Sequence, residues 1–160
     1  QYEAGGMVQH LIHQLKYQER EGIGRAFGSW MGEALSRDPS CPTFDYIVPV
    51  PLHWRRLLHR GYNQCNGMAL ALAGTTGGHY APGLLVRERF RRTQTRKGRR
   101  GRHAGTTGAF RLRSRGLARG ARVLLVDDVI TTGATLRACC QAFEAESGIS
   151  LYIAALAAVP

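Results

Sequence analysis

The sequence predicts an α/β fold: a mostly parallel five-stranded sheet flanked by helices and carrying a basic flexible flap, in a single domain spanning residues 1–160. Three observations lead there. Val123 to Val126 is a short apolar run with β-branched ends, the pattern of a strand buried on both faces of a parallel sheet. It stops at adjacent carboxylates, Asp127 and Asp128, and a small-residue turn, Thr131-Thr132-Gly133-Ala134-Thr135, leads into a helix expected from about Ala134 to Glu146. Elsewhere, further strand-like runs alternate with helical patterns, the order that a parallel sheet with crossover helices requires.

Val8, Leu11, Ile12 and Leu15 stand at helical spacing within residues 5 to 18. Ile23, Phe27, Trp30, Met31 and Leu35 repeat that period, so residues 1–36 are expected to form N-terminal helices with packed apolar faces. Lys16 either closes the first of them or reaches a phosphate crevice. Pro39 and Pro42 mark a turn, and Phe44 to Val50 reads as a strand whose end carries Pro49 and Pro51, as suits a strand terminus. A basic loop then runs to Gln64, followed by an Ala/Leu-rich helix to about Ala73. Thr75 to Gly83 is a Gly-rich connection, and Leu84 to Val86 a short strand. Residues 87–109 form the flap: Arg87 to His103 holds nine Arg or Lys against one Glu, so it should be mobile without an anion. Ala109-Phe110 opens a strand through Leu112, Arg113 to Ala121 is a basic turn, and Ser150 to Val159 is the last strand.

A chain of 160 residues can bury about 70% of its unfolded surface in one core and needs no disulfide or metal staple. No apolar run approaches the ~20 residues of a membrane span and no signal peptide is visible, so a soluble, cytoplasmic protein is expected. The sequence opens with Gln1 rather than Met, and an upstream piece is expected. Cys41, Cys65, Cys139 and Cys140 show no Cys-x-x-Cys spacing, which favours reduced, packed thiols over zinc or disulfides. His10 and His13 are one helical turn apart, a spacing that on a solvated face is more often accidental than metal-binding. The formal net charge of +11 implies polyanionic partners: phosphorylated metabolites, nucleic acid, or both.

In open α/β sheets ligands sit outside the carboxyl ends of strands, so the acid pair and the Thr-rich turn should share a crevice. Two carboxylates about 4 Å apart repel by roughly 4 kcal/mol at an effective dielectric of 20 and need hydroxyl donors or a cation between them. The turn supplies hydroxyls and free N–H groups to an anion. A ribose 5-phosphate, with vicinal hydroxyls and a phosphate, satisfies both halves. A response-regulator receiver is excluded because only 32 residues follow Asp128, and a P-loop because no Gly-Lys-Ser/Thr follows the glycines.

Val123 through Leu136 resembles the phosphoribosyl-pyrophosphate (PRPP) motif of type I phosphoribosyltransferases. Val-Pro-Val-Pro-Leu, ending at Leu52, followed by Arg60-Gly61-Tyr62-Asn63-Gln64 resembles their ComF/GntX branch, associated with competence for DNA uptake. The resemblance implies that Asp127 and Asp128 hold the ribose hydroxyls, and that Thr131, Thr132, Gly133, Ala134 and Thr135 wrap the 5-phosphate. It further implies that the backbone of Val50, Pro51 and Leu52, with Arg60 and Asn63, meets pyrophosphate. Arg55 and Arg56 are either ligand contacts or a solvated turn. Flap residues Arg91, Arg92, Gln94, Lys97 and Arg102 would close over pyrophosphate, with Gln94 and Arg102 at the branch's eight-residue spacing; Gly105 replaces an Asn of that pattern. Mg²⁺ would enter with PRPP, near the acid pair through water and with no direct protein ligand. A Cys-rich zinc module usually precedes such domains and is expected upstream. Transferases acting on 6-oxopurines carry Asp where this chain has Thr131, which disfavours that acceptor. Two function classes fit: a PRPP-dependent transferase of unidentified acceptor, and a weakly active or inactive transferase fold that binds single-stranded DNA.

Overall fold

The computed structural model describes residues 21–88, 109–113, 117–144 and 148–158. Its elements are α1 (Glu21–Arg37), β1 (Tyr46–Pro49), α2 (Trp54–Arg60), α3 (Gln64–Thr76), β2 (His79–Tyr80), β3 (Leu85–Arg87), β4 (Phe110–Leu112), β5 (Arg122–Ile130), α4 (Ala134–Phe143) and β6 (Ser150–Ala158). Among the described residues the main sheet has four parallel strands in the order β2-β1-β5-β6. The predicted α/β class and parallel sheet flanked by helices stand. The strand count divides differently, because β3 and β4 leave the sheet and pair with each other antiparallel, Val86 opposite Arg111.

The central strands explain themselves by alternation. Val48, Val123 and Leu125 turn to one face, where they pack with Leu85, Phe110 and Leu112 of the β3-β4 pair and with Leu136, Cys139 and Phe143 of α4. Ile47, Leu124 and Val126 turn to the other, against Met68, Ala69, Leu72 and Ala73 of α3. Both faces are covered, so β5 reads as an unbroken apolar run rather than an alternating one. Pro49 sits inside this ladder without loss. Val50 N–H donates to Val126 on the β5 side, so the Pro49 nitrogen falls on the β2 side, where β2 has already ended at Tyr80.

Helix α1 lies on α3. Ile23, Phe27, Met31 and Leu35 pack as predicted, but Trp30 is 66% exposed. The reason is the stripe Gly24, Gly28 and Gly32, all buried, which forms the centre of the contact and leaves Trp30 on the opposite side. A Cβ at Gly28 would stand 2.3 Å from the Met68 carbonyl oxygen, so the helices approach backbone to backbone.

Four expectations need correcting. β5 continues through the acid pair to Ile130, because β6 supplies ladder partners as far as Ala158. The Gly-rich connection contains β2, two residues that pair with β1. The basic loop contains α2, capped by the His53 side chain at its start and ended by Gly61 at φ 75°. The helix expected to reach Glu146 ends at Phe143. No helix among the described residues is long and apolar enough to cross a membrane.

Candidate functional site

From β1 the chain moves outward to β2, and from β5 it moves the other way to β6, so the order of connection reverses between β1 and β5. The crevice at such a reversal, beyond the strands' carboxyl ends, is where open α/β sheets place ligands. Here the Val50–Leu52 backbone meets the acid pair across a cleft of about 240 Å³.

The motif Arg60-Gly61-Tyr62-Asn63-Gln64 is a joint between two helices. Gly61 takes the left-handed conformation that closes α2, its N–H donating to Leu57. Two residues later Asn63 caps α3, its Oδ1 accepting from Cys65 N–H at 3.2 Å. Its Nδ2 donates to the Val50 carbonyl at 3.0 Å and thereby fixes the strand end that faces the cleft. Gln64, buried, then donates from Nε2 to Asp128 Oδ2 at 2.9 Å and accepts at Oε1 from Arg60 at 3.3 Å.

The acids stand differently. Asp128 is buried, with Oδ1 accepting from Val129 N–H at 2.8 Å and Oδ2 from Gln64. Asp127 is half-buried, and its Oδ1 accepts from Asp128 N–H at 2.9 Å. The Cys65 thiol lies 3.8 Å from the same oxygen. Burial, then the adjacent Asp128 charge, pushes Asp127 up from 3.8 to about 6. Burial, reinforced by both carboxylates, drives the Cys65 thiol well above its ordinary range, so it faces Asp127 as a neutral S–H. Cys139, buried beneath, is pushed up to about 12 chiefly by desolvation.

After β5, Gly133 at φ 70° starts α4 with no side-chain cap; Thr132 Oγ1 accepts only a long 3.4 Å bond from Ala134 N–H. No acidic residue occupies the first turn, so the helix N-terminus keeps its affinity for an anion. Thr131 and Thr135 line the cleft together with both aspartates. Thr132, Gly133 and Ala134 shape the turn beside it without lining it.

Of the predicted pyrophosphate residues, Val50, Pro51, Leu52, Arg60 and Asn63 all line the cleft. The Asn63 amide, however, is committed at both ends to Val50 and Cys65. Arg56 joins the lining while Arg55 stacks over Trp54 at 5.4 Å, which separates two arginines that spacing could not tell apart. Arg87, at the end of β3 and 5.1 Å over the Phe110 ring, adds a third cleft arginine. Sequence reasoning gave no role to Gln64 or Cys65 and placed Arg87 at the start of the flap, whereas Arg87 ends β3 opposite Phe110; only the place of Gln64 in the motif signalled it. The flap residues Arg91, Arg92, Gln94, Lys97 and Arg102, together with Lys16, His10, His13 and Gly105, lie outside the described residues.

A parallel sheet whose acid-pair strand leads into a Thr-rich helix start matches the phosphoribosyl transferase domain over residues 80–160, and the chain belongs to that family. Its relatives set it in the ComF/GntX branch. It is 34% identical over 129 residues to the DNA utilization protein YhgH of Salmonella typhi, covering 79% of this chain and 56% of the relative. It is 32% identical over 130 residues to competence protein F of Haemophilus influenzae, covering 79% and 57%. The chain thus spans little more than half the length of these curated relatives. The glutamine PRPP amidotransferase of B. subtilis, solved with ADP and GMP, shares the fold at TM-score 0.56 and 22% identity over 89% of this chain and 30% of its own.

Proposed function

We propose that this domain binds PRPP in the cleft and transfers its phosphoribosyl group to a nucleophilic acceptor, releasing pyrophosphate. The observation that carries the reading is convergence: a carboxylate pair, an uncapped helix start with threonine hydroxyls, and Arg56, Arg60 and Arg87 line one crevice. In this reading Asp127 and Asp128 orient the ribose hydroxyls, and the turn from Thr131 to Thr135 receives the 5-phosphate. The Val50–Leu52 backbone, held in place by Asn63, receives pyrophosphate with Arg60. The anomeric C–O bond breaks with its electron pair passing to pyrophosphate, and the acceptor's lone pair forms the new bond. Negative charge grows on the leaving group, where the three arginines are worth most.

The site suits Mg²⁺ that arrives with the ligand. Among the described residues no cluster of three or more His, Cys, Asp or Glu could hold a metal, but the acid pair offers hard oxygen donors. A cation beside it would offset the burial and then the Asp128 repulsion that together raise Asp127. When bound, Mg²⁺ supplies charge neutralisation at the diphosphate.

Calorimetric titration with PRPP and Mg²⁺ tests the reading. The domain should bind, and Asp128→Asn should abolish binding: an amide there sets a donor against Gln64 Nε2, and turning Gln64 over would set its own donors against Arg60. A silent titration on the unaltered domain would refute it.

A second reading is favoured by the net charge of +11 and by relatives named for DNA utilization and competence. In it the fold binds single-stranded DNA through its basic surface, and PRPP is at most a regulator.

A further inference from the structure

The geometry points to Gln64 as a positioning residue that holds Asp128 for the ribose hydroxyls and couples that end of the cleft to the diphosphate end through Arg60. The inference rests on the PRPP reading and deepens it. Gln64 is 5% exposed, and its amide is used in one sense only: the N–H side meets Asp128 Oδ2 at 2.9 Å, the carbonyl side meets Arg60 Nη1 at 3.3 Å. An amide has a donor end and an acceptor end, so neither contact survives its reversal: donors would face Arg60 and an oxygen would face a carboxylate. The cation and the acid therefore fix each other's geometry through one rigid group. α3 begins at Gln64 and its cap, Asn63, is tied to the Val50 carbonyl, so the amide is carried on the joint that also sets the strand end facing the cleft.

A diphosphate that engages Arg60 orders a long side chain, and through Oε1 it orders the amide and Asp128 behind it. A ribose that engages Asp128 orders the same three groups from the other side. Whichever ligand arrives second meets a partner already in place, so the two ends bind with positive and reciprocal coupling. With Gln64 removed, each end would be ordered separately.

Ribose 5-phosphate and inorganic pyrophosphate, each with Mg²⁺, probe the two ends independently by calorimetry. In the unaltered domain, saturating pyrophosphate should raise the affinity for ribose 5-phosphate at least about 5-fold, and the reverse titration should give the same factor. Gln64→Met, which fills similar space without polar ends, should bring the factor to about 1 and weaken ribose 5-phosphate alone, while pyrophosphate alone stays within about 2-fold. Gln64→Leu, which has neither a donor nor an acceptor at this position, should also lose the coupling, and it serves where the Met variant fails to fold. Coupling that persists in a folded variant overturns the inference. So does an unaltered domain that binds both probes without coupling, an outcome that leaves the PRPP reading standing. Failure of the unaltered domain to bind either probe removes both.

Discussion

Asp127 is raised to about 6, and this fixes a sign. Between its ordinary value near 3.8 and about 6, the folded state binds more protons than the unfolded chain. Its contribution to stability is therefore fully present below pH 4 and is lost as pH rises through about 6. The full shift corresponds to about 3 kcal/mol at most. Asp127→Asn, whose Oδ1 still accepts from Asp128 N–H, removes this penalty. Its urea midpoint should exceed that of the unaltered protein at pH 8 and converge with it at pH 4. Affinity for PRPP with Mg²⁺ should run the other way, rising with pH through about 6 as the carboxylate ionises. A stability difference independent of pH would show that Asp127 is not held protonated by its surroundings. At this scale the acid pair and the Thr-rich turn were legible because they are contiguous in the chain. Gln64 was not, because its partner Asp128 lies 64 positions away and nothing local marks an amide as a brace.

Elements show the same division. Those with a periodic apolar face were legible: α1, α3, α4 and the runs that became β1 and β5. Strand β2 was not, since His79 and Tyr80 carry no period and are strand only because β1 pairs with them. Helix α2 buries none of its seven residues, so Trp54–Arg60 shows no core-facing stripe and is defined by its ends, His53 and Gly61. The far half of β5 was hidden because aspartates are poor strand formers and read as a stop. The apolar face of α1 was legible, but the closeness of the α1–α3 contact was not, because it rests on glycine. Gly28→Val should destabilise by about 3 kcal/mol, because the Cβ alone would stand 2.3 Å from the Met68 backbone and neither helix can yield without parting the core. Gly74→Ala, at an exposed position of α3 where nothing lies within 4 Å of the added Cβ, should instead stabilise by about 0.5 to 1 kcal/mol. Urea midpoints of the two variants check both signs together.

Over the whole molecule, topology and charge make separate demands, and they can be separated by experiment. The α/β class was legible from the order of elements, but the withdrawal of β3 and β4 into their own pair was not, because antiparallel pairing of two three-residue runs depends on where the chain between them returns. The parallel sheet reverses its order between β1 and β5, and the cleft there is lined by two particular carboxylates. The +11 charge is concentrated in the sequence from Arg87 to His103, with nine Arg or Lys against one Glu, and would serve any polyanion. A single-stranded oligonucleotide engaging six to ten phosphates should lose about 10³ to 10⁵ in affinity between 50 and 200 mM salt. On the proposed reading PRPP meets directed hydrogen-bonding groups in the cleft as well as charge, and its binding should respond less steeply to salt. Asp128→Asn then divides the two: it should abolish PRPP binding and leave oligonucleotide affinity and its salt slope unchanged, since a neutralised acid inside the cleft adds nothing to the outer surface. Fluorescence anisotropy with a labelled oligonucleotide across a salt series, run on both proteins, reads this directly. A flat salt response would end the nucleic-acid reading, and a joint loss of both ligands in the variant would place the oligonucleotide in the same cleft.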